Sequence, residues 1–201
     1  NTFKVLGEYQ KATSSYAKVI QINPNHANAY YNLGNTFNEL EENQKATSCY
    51  EKAIKINPNH VEAYNNLGII LNKLGKNQKA MSCYENVIQI NPNYANAHNN
   101  LGYLFNELGE NQKAMSCYEK AIKINPKYIE AYNNLGNIHK KLGEHQKANY
   151  YYKKVIKIEP ENLTSHWLSM NVFPVIYKNF EEIDQYRKNF AKSIKKVNSK
   201  N

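Results

Sequence analysis

Six histidines are the side chains best suited to metal binding or acid–base chemistry. No two of them form an HExxH motif or lie at the short spacing of a zinc site. Four fall at points of a 34-residue period where other copies carry tyrosine or asparagine, which favours packing or turn roles. We therefore expect no metal site among them: His26, His60, His98, His139, His145 and His166.

Three cysteines, Cys49, Cys83 and Cys117, recur at the same interval. Equivalent helices in a stacked array lie about 8–10 Å or more apart, which exceeds the ~7 Å Cα separation that a disulfide tolerates. We expect small buried fillers in a reducing compartment, and hence a cytoplasmic protein. Because no phosphate-binding glycine loop or nucleophile–base pair accompanies them, we expect neither an enzyme nor a cofactor.

Side-chain amides form the remaining recurrent pattern, and they could bind a ligand through hydrogen bonds. Asparagine in a helix costs about 0.5–0.7 kcal/mol per site against alanine, yet its carboxamide can donate to and accept from a peptide backbone of any sequence. Compositional bias is the alternative explanation, because asparagine is also abundant in the turns. We call the following residues the asparagine ladder: Asn32, Asn66, Asn100, Asn134, Asn65, Asn99, Asn133, Asn35, Asn137, Asn38, Asn72 and Asn106.

A repeated pair of helices must position the ladder. The 34-residue period indicates a stacked array of repeats. Each copy predicts an amphipathic first helix, a turn, and a second helix that ends before proline. Two dipeptides recur at this interval, Asn-Pro at the end of the second helix and Leu-Gly inside the first helix. They are Asn-Pro at 23–24, 57–58, 91–92 and 125–126, and Leu-Gly at 33–34, 67–68, 101–102 and 135–136.

Two turn and glycine positions need an explanation. Gly34 lies inside the first helix, where glycine costs about 1 kcal/mol, so we expect a close helix–helix approach there with no side chain between the backbones. Glu41 occupies the turn position that Gly75, Gly109 and Gly143 fill in other copies. Either Glu41 adopts a left-handed conformation at a cost of about 1 kcal/mol, or the first helix ends differently.

The repeat pattern resembles a known family. Counted from Ala27, Val61, Ala95 and Ile129, the copies share Tyr or His at position 4, Leu at 7, Gly at 8, Ala at 20, Tyr at 24 and Pro at 32. This pattern is similar to the tetratricopeptide repeat. The resemblance implies an all-α fold, an α-solenoid whose antiparallel helix pairs stack into a right-handed superhelix, with first helices lining a concave groove.

The same resemblance implies a use for the ladder. Repeat arms of the O-linked GlcNAc transferase type line their groove with asparagines that grip extended peptides, and Tyr31 and Tyr103 would add stacking or apolar contact here. The lysine of the family's chaperone-tail carboxylate clamp is absent, since position 5 holds Tyr31, Asn65, Asn99 and Asn133. We expect an interaction scaffold for another protein or peptide segment.

The repeats predict the organisation of the chain. We expect a partial repeat over 1–26, made of the end of a first helix plus a second helix, and further repeats before Asn1, because an array needs polar caps. A degenerate first helix and a C-terminal capping or junction helix are expected over 163–201. Complete repeats are expected over 27–60, 61–94, 95–128 and 129–162.

The last helix has two interpretations, closure of the final repeat or a junction to a following domain. Asn179 with Glu182 is typical of a helix cap. The segment resembles one in bacterial SPINDLY and O-linked GlcNAc transferase proteins, where a glycosyltransferase domain lies downstream. The alternative function is therefore the substrate-recruiting arm of such an enzyme. The predicted apolar face comprises Phe180, Ile183, Tyr186, Phe190, Ile194 and Val197.

Charge and hydropathy limit the classes of binding partner that we expect. The net charge is +9 and the isoelectric point about 9.2, but no basic block runs through the repeats, which favours solubilising lysines over a nucleic-acid site. No stretch approaches the ~18 apolar residues of a membrane span, so we expect no membrane partner. We expect a monomer, or a weak oligomer formed through the array ends.

Overall fold

The computed structural model describes residues 2–170, 180–181, 183–185, 187–188 and 191, without the side chains of 2–6, 163 and 170. All regular structure in this part of the chain is helical, which confirms the predicted all-α class. The helices are α1 (Thr2–Ile22), α2 (Ala27–Glu39), α3 (Asn43–Ile56), α4 (Val61–Lys73), α5 (Asn77–Ile90), α6 (Ala95–Glu107), α7 (Asn111–Ile124), α8 (Ile129–Lys141), α9 (His145–Ile158) and α10 (Leu163–Met170).

The chain divides into two compact units, Asn1–Leu104 and Phe105–Asn201, with the boundary inside α6. In the first unit, α1 packs against α2, α2 against α3, α3 against α4, and α4 against α5. In the second unit, α7 packs against α8, α8 against α9, and α9 against α10. Short turns join α2 to α3, α4 to α5 and α8 to α9, so these pairs are antiparallel, as in an α-solenoid.

The first helix differs from the expectation. Thr2–Ile22 is one continuous helix, not the end of a first helix followed by a second one. Gly7 lies within it, at the place where other copies turn. A glycine does not by itself end a helix, and the backbone stays helical on both sides of this point.

The C-terminal segment is described only in part. α10 lies at the start of the segment expected to hold a degenerate first helix. Residues 180–181, 183–185, 187–188 and 191 are helical, and Phe180 is exposed. The predicted cap and most of the predicted apolar face lie outside the described residues: Asn179, Glu182, Tyr186, Phe190, Ile194 and Val197.

Three helix pairs, α2 with α3, α4 with α5 and α8 with α9, are closed by a tyrosine ring that lies on a glycine. A Cβ added to Gly68 in α4 would come within 2.6 Å of Cε1 of Tyr84 in α5, and Tyr84 is buried. The close approach expected at these glycines is therefore present, but an aromatic ring fills the space that we expected to be bare backbone. The equivalent pairs are Gly34 with Tyr50 and Gly136 with Tyr152.

Position 4 ties α6, α8 and α10 to the proline turn that precedes each of them. Tyrosine and histidine are interchangeable there because both present a ring-borne donor to the same backbone carbonyl oxygen. The pairs are His98 Nε2 with Pro92 O (2.9 Å), His166 Nε2 with Pro160 O (2.9 Å) and Tyr132 Oη with Pro126 O (3.4 Å).

Histidine at position 34 caps the helix that follows. Nδ1 of His26 accepts a hydrogen bond from the backbone N–H of Ala29 at 3.1 Å, and Nδ1 of His60 accepts from Ala63 at 3.4 Å. These bonds satisfy N–H groups that a helix start leaves without intrahelical partners. The structure thus gives both histidines local roles at turns.

The turn between paired helices is left-handed even where glycine is missing. Glu41 has φ +58°, close to the +70° of Gly75 and the +75° of Gly143. The first of the two predicted alternatives therefore holds, and Glu41 carries the conformational cost.

Glu41→Gly should raise the free energy of unfolding by about 0.5–1 kcal/mol, because glycine removes the left-handed strain but adds entropy to the unfolded chain. Urea unfolding followed by circular dichroism measures the change. Gly75→Ala is the matched control: a Cβ there meets nothing within 4 Å, so backbone strain alone should destabilise by about 1 kcal/mol. A stabilised Gly75→Ala variant would contradict this account of the turn.

Gly68→Ala should lower the free energy of unfolding by about 1–3 kcal/mol, because the new methyl group overlaps the Tyr84 ring. Gly7→Ala is its counterpart in α1, where the methyl group meets nothing within 4 Å, and it should raise stability by about 0.5–1 kcal/mol. The same unfolding measurement compares both. Equal effects at the two sites would show that the ring does not constrain Gly68.

Candidate functional site

The ladder residues lie on the first helices of four successive copies. Because α6 spans the boundary between the two compact units, the site is described for each unit separately. The distribution is Asn32, Asn35 and Asn38 on α2, Asn65, Asn66 and Asn72 on α4, Asn99, Asn100 and Asn106 on α6, and Asn133, Asn134 and Asn137 on α8.

In the first unit, four ladder side chains form a hydrogen-bonded chain across three first helices. Nδ2 of Asn66 donates to Oδ1 of Asn35 at 3.0 Å and lies 3.5 Å from the hydroxyl of Tyr31. Nδ2 of Asn65 donates to Oδ1 of Asn66 at 3.2 Å, and Nδ2 of Asn100 donates to Oδ1 of Asn65 at 3.1 Å. We call Asn35, Asn65, Asn66 and Asn100 the amide network.

Tyr50 anchors the amide network in the core. Its ring lies on Gly34, and its hydroxyl donates to Oδ1 of Asn35 at 2.8 Å. Burial raises the pKa of Tyr50 to about 12, and the hydrogen bond with the side chain of Asn66 works in the opposite direction. The phenol therefore stays protonated at neutral pH and remains a donor.

Burial divides the ladder into two kinds of residue. Asn65 is 5% exposed and Asn99 is 8% exposed, so the first-helix packing leaves little of either side chain to a ligand. Asn66 and Asn100, one position further along, are half-buried. In the first unit, position 6 therefore offers more surface than position 5, although both were predicted to bind.

Other ladder amides in the first unit retain hydrogen-bonding capacity. The side chains of Asn32 and Asn72 are half-buried and make no hydrogen bond with any described residue. Oδ1 of Asn38 is buried and also lacks a partner in the described part of the chain. The buried oxygen of Asn38 is costly but closed to solvent. The half-buried amides of Asn32 and Asn72 are the ones that can still bond to a group approaching from solvent.

The two tyrosines predicted to border the site differ in environment. Tyr31 packs against the chain itself, with its ring centroid 4.8 Å from that of His60 and 6.0 Å from that of Tyr50. Tyr103 is 43% exposed. Of the two rings, Tyr103 therefore has more surface available to a ligand.

The second unit repeats part of this arrangement. Oδ1 of Asn137 accepts from the hydroxyl of Tyr152 at 2.8 Å, as Asn35 does from Tyr50 in the first unit. Oδ1 of Asn133 accepts from Oγ of Ser165, on α10, at 3.1 Å. Asn106 and Asn134 are half-buried. The position 5 and position 9 amides of this unit are thus engaged by hydroxyls.

The sequence-based prediction missed the tyrosine hydroxyls at position 24. Tyr50 and Tyr152 were visible as repeat positions, and so were Asn35 and Asn137. Position 24 is tyrosine in all four complete copies, whether or not position 9 is asparagine, so the sequence held no signal that pairs the two positions. Pairing them requires knowing how the two helices of a pair face each other.

The cysteines are structural. Burial raises the pKa of Cys49 and of Cys83 to about 11, and it also raises the pKa of Cys117. A thiol with a raised pKa holds little of the nucleophilic thiolate at neutral pH. Within the described residues, no cluster of His, Cys, Asp or Glu could hold a metal ion, and no helix could cross a membrane.

His139 takes part in a polar contact at a turn of the second unit. Its Nδ1 lies 2.5 Å from Oε2 of Glu144, and its ring stacks on Tyr151 with centroids 5.3 Å apart. Hydrogen bonds from His139 and then from Lys147 hold the pKa of Glu144 below its usual value. Glu144 precedes α9, so the contact links α8 to the start of α9.

Family comparisons agree with the repeat pattern. A model described as tetratricopeptide repeat matches residues 27–60, 61–94 and 129–162, and a second one matches 83–115. A model described as TPR repeat matches 1–41 and 102–143. The narrower resemblance to the arms of O-linked GlcNAc transferase and SPINDLY proteins finds no support in these matches and stays a prediction. No curated protein matches the chain significantly.

Solved structures share the fold. A crystal structure of MamA has a TM-score of 0.71 at 28% identity, covering 80% of this chain and 94% of its own. PilF of Pseudomonas aeruginosa has a TM-score of 0.79 at 20% identity, covering 96% and 84%. YrrB, described as a TPR protein with an unusual peptide-binding site, has a TM-score of 0.65 at 24% identity, covering 82% and 85%. The last two likenesses show the fold alone.

Tyr50→Phe should lower the free energy of unfolding by about 1 kcal/mol, because Oδ1 of Asn35 loses its hydroxyl donor. Tyr84→Phe is the matched control, since Tyr84 is equally buried but its hydroxyl bonds to no described residue. The control should leave stability unchanged or raise it. Thermal or urea unfolding compares the two, and equal losses would show that the Tyr50–Asn35 bond contributes nothing.

Proposed function

We propose that this chain, which belongs to the tetratricopeptide repeat family, is an interaction scaffold whose first helices hold an extended segment of another protein through the asparagine ladder. The observation that carries the proposal is the amide network, which lines up side-chain amides of α2, α4 and α6 in the first unit. Tetratricopeptide repeat proteins are typically non-catalytic scaffolds, and the proposed role is of that kind.

The amides have capacity left for a ligand. A carboxamide has two N–H donors and an oxygen with two acceptor sites. Nδ2 of Asn100 uses one donor on Asn65, while Asn32 and Asn72 use none on described residues. A peptide backbone also offers alternating donors and acceptors, so it can satisfy these groups whatever its side chains are.

The charges on this face favour a ligand without strong charge of either sign. Glu39, Glu62 and Lys73 are exposed on the same first helices. Because the signs are mixed, attraction of a uniformly acidic or basic segment is weak. The fold is compatible with this use, since YrrB, described as having a peptide-binding site, shares it.

The double substitution Asn32→Ala with Asn72→Ala should weaken peptide binding by about tenfold or more, because each lost hydrogen bond contributes about 0.5–1.5 kcal/mol. The probe is a peptide that the wild-type chain selects from a phage library of short random peptides. Fluorescence anisotropy with the synthetic peptide measures Kd. The melting temperature should not fall, because neither amide has a described partner and alanine is the better helix former.

Asn86→Ala supplies the control. Nδ2 of Asn86 donates to the backbone oxygen of Ser82 on the second helix α5, away from the ladder. This variant should bind the selected peptide with the wild-type Kd. Unchanged affinity in the ladder double variant would remove the ladder from the binding site.

A further inference from the structure

The hydroxyl of Tyr84 lacks the asparagine partner that the hydroxyls of Tyr50 and Tyr152 have. The hydroxyls of Tyr50 and Tyr152 donate to asparagine at position 9 of their own repeats, at 2.8 Å in both cases. Tyr84 is 2% exposed, and its hydroxyl forms no hydrogen bond with any described residue. Position 9 of its repeat is Ile69, which has no acceptor. The hydroxyl oxygen is not one of the fully buried, unpaired polar atoms of the described residues, so it can donate to a group that approaches from solvent.

Ile69 changes the amide network as well. Where position 9 is Asn35, the amide of the next repeat, Asn66, donates to it. The equivalent amide of the following repeat is Asn100, and it donates to Asn65 at position 5. Position 6 of one repeat meets position 9 of the repeat before it at Asn66 and Asn35. Because Ile69 has no acceptor at position 9, Asn100 has none to bond there and donates to Asn65 instead.

Apolar surface accompanies the unpaired hydroxyl. Ile69 is half-buried on α4, and Tyr103, at the same position of α6, is 43% exposed. Each follows a ladder amide by one helical turn, Ile69 after Asn66 and Tyr103 after Asn100. In the first unit, position 9 therefore changes from an amide at Asn35 to two successive apolar or aromatic side chains.

We propose that Tyr84, Ile69 and Tyr103 form a subsite that binds one apolar residue of an extended protein segment. The hydroxyl of Tyr84 donates to a main-chain carbonyl oxygen of the segment, and the apolar side chain lies on Ile69 and Tyr103. This inference rests on the proposed function and deepens it, because it names a side-chain preference that the ladder alone does not supply.

An extended protein segment fits these groups better than a small anion or a nucleic acid. Glu62 and Lys73, on the same helix as Ile69, balance in charge and leave no net positive field for an anion. An extended backbone places a carbonyl oxygen beside each side chain. One residue of such a segment can therefore supply both the acceptor and the apolar group.

The test uses a phage library of short random peptides selected in parallel by the wild-type chain and by Ile69→Asn. The wild type should enrich peptides that share an aliphatic or aromatic residue at one fixed point. Ile69→Asn should lose that preference, because the new amide can accept from Tyr84 as Asn35 accepts from Tyr50. Tyr84→Phe should weaken the best wild-type peptide by about three- to tenfold with an unchanged or higher melting temperature.

Tyr50→Phe serves as the matched control for the hydroxyl. It removes a hydroxyl that is already paired with Asn35, so it should lower the melting temperature without removing the apolar preference. This contrast separates a lost ligand contact from a general loss of structure.

The outcomes distinguish this inference from the proposed function. Enriched peptides without an apolar preference, or with one that survives Ile69→Asn, would overturn the subsite and leave the scaffold proposal standing. Failure of the wild type to enrich any peptide would remove both. Sedimentation velocity over a range of concentrations tests a second copy as occupant: self-association abolished by Tyr103→Ser would assign the surface to that copy and overturn the subsite.

Discussion

The contact between a tyrosine ring of the second helix and a glycine of the first is the constraint on which three of the repeats depend. At Gly68, a single methyl group would overlap the ring of Tyr84. Because the glycine has no side chain, the ring can cross the helix pair with its hydroxyl directed to the ladder face, where Tyr50 reaches Asn35. One contact thus sets the spacing of the two helices and delivers a hydroxyl to position 9.

The ladder has a structural role of its own, apart from the binding role proposed for it. Asn66 joins α4 to α2, and Asn100 joins α6 to α4, so the first helices of the first unit meet through amides in addition to apolar packing. Buried polar networks of this kind stabilise only when their members are satisfied. Substituting an amide that is already paired would change both the stability of the fold and the proposed binding. Substituting Asn32 or Asn72 would change the proposed binding alone, because neither side chain has a described partner.

Differences between the copies matter more than their common pattern. Either histidine or tyrosine can bond to the carbonyl oxygen of a proline turn, at 2.9 Å for His98 and 3.4 Å for Tyr132. Glu41 is tolerated in a left-handed turn because the surrounding helix pair holds it there. Position 9 is different, because replacing an amide by Ile69 leaves Tyr84 without a partner and exposes apolar surface. Where one repeat departs from the pattern at a hydrogen-bonded position, that repeat therefore presents different hydrogen-bonding groups from its neighbours.

The amino-acid sequence by itself determined the period, the helix pairs and the turns, because each follows from local spacing, and the repeat pattern indicated the family. It also located the strained turn at Glu41 by comparison with the glycines of other copies. Only the tertiary structure decided that the ladder amides bond to one another, that Asn65 and Asn99 are buried, and that Tyr84 lacks a partner. These facts depend on distances between side chains of different helices, and periodicity along one chain does not contain such distances.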